Sequence, residues 1–171
     1  MKITPSYKEF QKQSRHGNLI PVYAEIFADM ETPVSAFKKL EGDFSFLLES
    51  VEGGERIARY SFLGSNPELL FKAKGKEVEI ITKEKSKKIY AKNDALEVLK
   101  DIMKKYKAIK LNDMPPFTGG AVGYLSYDMV RFFEKLPSKN KDELNINDIF
   151  LLITDTIVIF DHIKHTIKVV S

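Results

Sequence analysis

The sequence FSFLLESVEGGERIARYSFLG, residues 44–64, decides how this chain is organised. Two apolar runs, Phe44–Ser50 and Ile57–Leu63, flank the adjacent glycines Gly53 and Gly54. Adjacent glycines between strand-like runs are typical of a β-hairpin turn, because glycine readily adopts the positive φ angles that such turns require. The stretch therefore predicts a hairpin around which the other strands assemble.

The register of this hairpin depends on charge. An alignment centred on the glycines places Glu52 opposite Glu55, and like charges directly across a strand pair are destabilising. A longer loop or a one-residue slip is therefore also compatible with the pattern. In each of these registers we expect Arg59 close to Leu48 or Glu49.

Three polar residues, Glu49, Ser50 and Arg59, lie at the inner ends of the two apolar strands. A buried charge is costly unless it is paired or meets a ligand of opposite sign. Together these groups suit a zwitterion such as a free amino acid, with Glu49 for the ammonium and Arg59 for the carboxylate. Spacing alone favours a simpler alternative, an internal salt bridge between Glu49 and Arg59. Strand alternation places Glu49 and Ser50 on opposite faces, so both line one pocket only where the strand ends or bulges.

Composition limits the class of protein. The chain has 171 residues, 43% hydrophobic and 30% charged, which suits a soluble globular domain or a piece of a larger protein. No apolar run approaches the ~20 residues of a membrane helix, and the N-terminus lacks a signal-peptide core. The absence of cysteine excludes disulfides and thiolate metal sites and fits a cytoplasmic location.

A lysine-rich segment raises the question of nucleic-acid binding. Residues 72–92 contain eight lysines and three acidic residues. However, Val78, Ile80 and Ile89 alternate with charged positions as on a half-buried hairpin, and there is no aromatic ladder for stacking bases. We therefore interpret the segment as a solvated hairpin whose lysines discourage edge pairing, with no nucleic acid as partner.

Three segments carry helix signals. Ser6 followed by Glu9 is a capping box, and Thr32 precedes a helix over Pro33–Leu40 with proline at its first position. The clearest helix is Asp94–Tyr106, capped by Asp94 and amphipathic. We expect these helices to lie outside a β-sheet core.

The strand signals extend to the end of the chain. Leu19–Phe27 contains a proline near its start and predicts an edge strand. Phe150–Phe160 predicts one long strand paired with Thr166–Val170 through a turn at Asp161–His165. Many strands with short turns predict an α+β fold, mainly antiparallel β-sheets packed as a sandwich with a few flanking helices.

A glycine-rich segment, PFTGGAVGYLSYD at residues 116–128, resembles no complete phosphate-binding motif, because it lacks the lysine of a phosphate loop and the spacing of a dinucleotide fingerprint. We interpret it as a strand through a crowded core, where missing side chains let a backbone or ligand approach closely.

Two histidines near the C-terminus suggest a metal site. His162 and His165 lie beside Asp161, but with no further ligand nearby an exposed turn is the better interpretation. No Ser-His-Asp triad is recognisable, so we predict neither a catalytic residue nor a metal site in this chain.

Two motifs resemble a known family. LLESVEGGERIARYSFLGSNP, residues 47–67, and FTGGAVGYLSYDMVRFFEKLP, residues 117–137, are similar to the N-terminal region of anthranilate synthase component I. The resemblance spans nearly the whole chain. It implies that residues 1–171 form the N-terminal regulatory domain, with the C-terminal chorismate-binding catalytic domain absent from this chain.

The resemblance implies a function for the parent enzyme. Anthranilate synthase is a lyase that converts chorismate and glutamine into anthranilate, pyruvate and glutamate in tryptophan biosynthesis, with ammonia from a glutamine amidotransferase subunit, component II. Mg²⁺ and the catalytic residues belong to the C-terminal half, so we expect this fragment to be inactive alone and to need no cofactor. Its expected partners are the chorismate-binding domain and the amidotransferase, with no membrane association.

The family also implies a regulatory site. Feedback inhibition by L-tryptophan is built on the two strands of the first motif, which maps onto the following residues: Leu48, Glu49, Ser50, Arg59, Tyr60 and Ser61. Tyr124 and Tyr127 are further possible pocket residues. The alternatives are the N-terminal domain of the aminodeoxychorismate synthase large subunit, and a purely structural module that docks the amidotransferase.

Overall fold

The structure, a computed structural model, describes residues 2–49, 59–137 and 141–171. The chain divides into two compact units. The first comprises residues 1–67, 106–120 and 154–171, and the second comprises residues 68–105 and 121–153. The strands are β1 (Ile3–Thr4), β2 (Tyr23–Phe27), β3 (Ser45–Leu48), β4 (Tyr60–Ser65), β5 (Leu69–Lys74), β6 (Glu77–Thr82), β7 (Ser86–Tyr90), β8 (Gly120–Leu125), β9 (Ile149–Thr154), β10 (Ile157–Asp161) and β11 (Thr166–Val170). The helices are α1 (Tyr7–Gln13), α2 (Pro33–Leu40) and α3 (Ala95–Met103), with a 3-10 helix at Tyr127–Phe132.

The first unit is built on a six-stranded sheet with the order β1-β2-β11-β10-β4-β3. Its registered strand pairs are all antiparallel. On one face, α2 packs Ala36 and Phe37 against the buried residues Leu63, Phe160 and Ile167. The opposite face buries Ile157, Ile159 and Val170 against aromatic side chains. Thr32 and Ser35 form the capping box that begins α2 where the sequence predicts.

The second unit contains a five-stranded sheet with the order β7-β6-β5-β9-β8. Phe71 and Ile149 are completely buried in it, and the apolar stripe of α3 packs against this core through Leu96, Leu99 and Met103. The predicted α+β class with antiparallel sheets is confirmed. Among the described residues, no helix is long and apolar enough to cross a lipid bilayer.

The lysine-rich segment is the predicted half-buried hairpin. Val78 pairs with Ile89 across β6 and β7, and Val78 is buried while both Ile80 and Ile89 pack against the core. β7 is the edge strand, and its Lys87 and Lys88 are exposed. Charged side chains on an edge strand discourage pairing with other chains.

Two strand predictions are wrong. β2 begins only at Tyr23 and pairs with both β1 and β11, so it is not an edge strand. The run Phe150–Phe160 is two strands rather than one, because the chain leaves the five-stranded sheet after β9 and enters the six-stranded sheet as β10. A bend at this point is closed by Thr154 Oγ1, which donates a hydrogen bond to the carbonyl oxygen of Thr156 at 3.0 Å. Apolar periodicity does not reveal such a change, since both strands are buried.

The prediction that the glycine-rich segment forms a strand through a crowded core is wrong. β8 is the other edge strand of the five-stranded sheet, and most of its residues are exposed. The expected close approach of backbone is confirmed at Gly123, where a Cβ atom would overlap the carbonyl oxygen of Phe150.

The N-cap of α3 makes a measurable contribution to stability. Asp94 accepts a hydrogen bond from the Glu97 N–H at 2.9 Å, which satisfies one of the free donors in the first helical turn. Asp94→Ala is expected to lower the free energy of unfolding by about 1 kcal/mol, measured by urea denaturation. Asp101→Ala, which removes the same side chain from the exposed surface of α3, is the control. Equal losses in both variants would contradict a capping role.

Candidate functional site

The residues of the first motif lie at the end of β3 and the start of β4, in the first unit. Leu48 is opposite Phe62, and Leu47 is opposite Leu63. Because side chains alternate between the faces of a strand, Leu48, Tyr60 and Phe62 lie on one face and Ser61 on the other. Sequence-predicted residues on this motif are therefore divided between two faces of the sheet.

The predicted placement of Arg59 close to Leu48 or Glu49 across the hairpin is wrong. Phe62, and not Arg59, lies opposite Leu48, and β4 begins only after Arg59. Packing explains this alignment, because the ring of Phe46 lies over Gly64, where a Cβ atom would be 2.6 Å from Phe46 Cε1. The predicted turn at Gly53 and Gly54, together with the candidate Ser50, lies outside the described residues.

Arg59 forms an ion pair with a residue far away in the sequence. Its Nη2 lies 2.7 Å from Asp161 Oδ2, and its Nε donates to Asp161 Oδ1 at 3.1 Å. This is a bidentate contact, the strongest geometry between a guanidinium and a carboxylate. The alternative of a salt bridge between Arg59 and Glu49 is wrong, since among the described residues the ion pair of Arg59 is with Asp161.

Asp161 is buried at the end of β10, with 4% of its surface exposed. Its Oδ1 also accepts hydrogen bonds from the backbone N–H groups of Ile163 and Lys164, each at 3.1 Å. Burial by itself raises the pKa of this carboxyl, but the hydrogen bonds from Arg59 and Lys164 outweigh burial and hold the pKa below its usual value. The carboxylate is therefore ionised at neutral pH.

An aromatic run lies beside this ion pair. The Arg59 Cζ atom lies 4.9 Å from the centre of the Tyr60 ring, within the range of a cation–π contact. Tyr60 and Phe62 have ring centroids 6.0 Å apart, and Phe62 meets Phe117 edge to face at 5.5 Å. Burial raises the pKa of the Tyr60 phenol, so it stays neutral at physiological pH. The site thus combines a cation with an apolar aromatic wall.

Ser61 is tied to the turn that follows β10. Its side chain is buried with 1% exposed, and its Oγ is hydrogen-bonded to His162 Nε2 at 2.8 Å. The backbone N–H of His162 also donates a hydrogen bond to the carbonyl oxygen of Arg59 at 2.9 Å. His162 lies in the predicted turn, but it contacts the candidate site instead of serving only as an exposed turn residue.

The remaining candidates are Leu48 and Glu49 at the end of β3, and Tyr124 and Tyr127 in the second unit. Glu49 is exposed immediately after β3, and Leu48 is 45% exposed. Tyr124 and Tyr127 belong to the second unit, where Tyr124 stacks on Phe150 with centroids 6.1 Å apart and Tyr127 is 87% exposed.

The face of the six-stranded sheet that carries Asp161 also carries a second buried charge, Lys168, which was not predicted from the sequence. Lys168 is 4% exposed, and its Nζ lies 2.5 Å from Glu25 Oε1 and 4.9 Å from the centre of the Tyr23 ring. The hydrogen bond from Lys168 holds the pKa of Glu25 below its usual value. This contact satisfies the buried ammonium, as a buried lysine requires.

The roles of Asp161 and His162 were also not predicted from the sequence. An aspartate that begins a short turn between two strands commonly binds the following backbone N–H groups, and this signal was available. The pairing of Asp161 with Arg59 was not, because it depends on which strands are neighbours. In the part of the chain that the structure describes, no group of three His, Cys, Asp or Glu side chains is placed to hold a metal ion.

Comparisons with known proteins show what this chain is similar to. No family model matches the chain. Anthranilate synthase component 1 of Acetivibrio thermocellus is 40% identical over 167 residues, which are 97% of this chain and 34% of that protein. The protein of the same name from Aquifex aeolicus is 38% identical over 99% of this chain and 35% of its own length. A crystal structure of anthranilate synthase component I from Streptococcus pneumoniae TIGR4 is similar over 85% of this chain and 31% of its own, with 26% identity and a TM-score of 0.56. The chain thus spans about a third of the length of the curated relatives it matches.

Proposed function

This chain is a homologue of anthranilate synthase component I over about a third of that protein's length, and on this premise we propose that it forms the N-terminal regulatory domain of such an enzyme. The whole enzyme would convert chorismate and glutamine into anthranilate, pyruvate and glutamate. The chorismate-binding domain and the glutamine amidotransferase subunit would be its partners. Mg²⁺, which the resemblance implies for the whole enzyme, would be bound by the chorismate-binding domain.

We propose further that this domain binds L-tryptophan as a feedback inhibitor. The observation that carries this proposal is the placement of Arg59 beside Tyr60 and Phe62, with Leu48 on the same face. An aromatic amino acid needs a cation for its carboxylate and an apolar wall for its ring. Glu49, exposed at the adjacent end of β3, supplies an anion for the ammonium group.

Inhibition would act by a shift between conformations. A ligand moves such an equilibrium only by the difference between its affinities for the two states, typically ~1 to 3 kcal/mol of coupling. Tryptophan would favour an arrangement of the enzyme that binds chorismate poorly.

Titration with L-tryptophan tests the proposed site directly. The chain contains no tryptophan, so the fluorescence of the ligand indole, excited at the long-wavelength edge where tyrosine does not absorb, reports binding without a protein background. We expect saturable binding of L-tryptophan and none of D-tryptophan. Glu49→Gln is expected to raise the dissociation constant roughly tenfold, because it removes the charge opposite the ammonium.

Glu77→Gln is the matched control for this titration, since it makes the same exchange at an exposed position in β6 of the second unit. Equal affinities of the Glu49→Gln and Glu77→Gln variants would remove Glu49 from the site. Absence of L-tryptophan binding to the unmodified chain would contradict a preformed site in this domain.

One observation favours a second function, a purely structural module that docks the amidotransferase. Arg59 already forms a bidentate contact with Asp161, as a residue with only a structural role would. Capture of the amidotransferase subunit by a chain that binds no tryptophan would support this alternative.

A further inference from the structure

Two contacts connect the start of β4 to the turn after β10. On one face of the sheet, Asp161 holds the Arg59 side chain, and on the other face His162 holds Ser61. The backbone N–H of His162 additionally donates a hydrogen bond to the carbonyl oxygen of Arg59. The three motif residues Arg59, Tyr60 and Ser61 are thus positioned by a segment about a hundred residues away in the sequence.

The Arg59 guanidinium is held from two directions. Asp161 occupies its Nε and one N–H of Nη2, while the Tyr60 ring lies under Cζ at 4.9 Å. A guanidinium has five N–H donors in a rigid fork, so donors remain on the side away from Asp161. The Arg59 side chain is 31% exposed, so it is not sealed inside the sheet.

The Asp161 carboxylate is ionised and is fixed in place by several hydrogen bonds. It is buried, and it accepts hydrogen bonds from Ile163 and Lys164 in addition to those from Arg59. An arginine side chain that is already ordered loses little conformational entropy when it binds a carboxylate, whereas a mobile one loses much more. A carboxylate that holds Arg59 in one orientation would therefore lower the entropic cost when Arg59 binds a second anion.

We propose that Asp161 is a positioning residue of the ligand site, which holds Arg59 so that its remaining N–H groups bind the carboxylate of an aromatic amino acid. The aromatic ring of the ligand packs along the run formed by Tyr60, Phe62 and Phe117. This inference rests on the proposed regulatory function and adds to it a residue outside the two motifs.

The test compares two ligands that differ in one group. L-Tryptophan has a carboxylate, and tryptamine has the same indole and amine without it. Asp161→Asn keeps oxygen Oδ1 for the turn N–H groups but removes the charge that orients Arg59. We expect it to raise the dissociation constant of L-tryptophan roughly tenfold and to leave that of tryptamine unchanged.

Asp155→Asn, the same exchange at an exposed aspartate, is the matched control and is expected to change neither constant. Arg59→Lys provides a second variant that keeps the charge but loses the bidentate contact, and we expect the same selective loss of L-tryptophan affinity. Asp161→Glu, which keeps the negative charge, is expected to bind L-tryptophan more tightly than the Asp161→Asn variant does.

The outcomes distinguish a failure of the positioning role of Asp161 from a failure of the proposed tryptophan binding. If Asp161→Asn weakens both ligands equally, Asp161 has only a structural role and the inference is wrong. If it weakens neither, the inference is also wrong while the regulatory function stands. If the unmodified chain binds neither ligand, the proposed function itself fails, and the inference fails with it.

Discussion

Replacing Gly123 with alanine is expected to lower the free energy of unfolding by about 3 kcal/mol or more. Gly123 has a φ angle of +154°, which residues with a side chain rarely adopt. A Cβ atom here would overlap the Phe150 carbonyl oxygen and lie 3.0 Å from Leu151 Cα, both of which are backbone in the neighbouring strand β9. Backbone in a sheet cannot move aside as a flexible side chain can, so the contact between β8 and β9 would be disrupted.

Gly75→Ala is the matched control for Gly123→Ala. Gly75 also has a positive φ, +53°, but no atom lies within 4 Å of its Cβ position. The control is expected to cost only about 1 kcal/mol, the strain of the left-handed conformation. Urea denaturation followed by circular dichroism measures both variants. Equal losses in the two variants would contradict the close approach of β8 to β9.

Removing the Asp161 side chain is expected to produce the second large effect. Asp161→Ala leaves the backbone N–H groups of Ile163 and Lys164 without their acceptor and leaves Arg59 without its partner. We expect a loss of about 2 kcal/mol in the free energy of unfolding, less than for a fully buried ion pair, because Arg59 is partly exposed and can turn towards water.

The pH dependence of stability provides an independent measurement of the same interaction. The pKa of Asp161 is lower in the folded protein than its usual value of about 3.9. The folded state therefore gains stability from the ionised carboxylate above pH ~4, and this gain is lost as the pH falls towards the lower folded pKa. Urea denaturation from pH 6 to pH 3 should show a smaller decline for Asp161→Asn than for the unmodified chain. Parallel curves would contradict the ion pair.

These two substitutions affect different units of the chain. Gly123 belongs to the second unit and Asp161 to the first. Only Asp161 contacts a residue of the proposed ligand site. A change in tryptophan affinity in an Asp161 variant whose tryptamine affinity is intact would therefore be an effect on the site and not on stability in general.

The sequence by itself determined the local structure of this protein. The caps of α1, α2 and α3 at Ser6, Thr32 and Asp94 lie where the sequence predicts them, because a cap depends on residues three positions apart. The alternation of Val78 with charged residues likewise predicted a half-buried hairpin. The family resemblance also came from local motifs, and the relatives confirm it.

Only the tertiary structure decided the partner of Arg59 and the division of the motif between two faces. Asp161 reaches Arg59 because β10 lies next to β4 in the sheet, and Tyr60 is directly opposite Asp161. Strand order is a property of the assembled core, in which many apolar strands compete for the same neighbours. Periodicity shows that a strand is buried but carries no information about which strand it pairs with, so the residue that holds Arg59 was not readable from the chain alone.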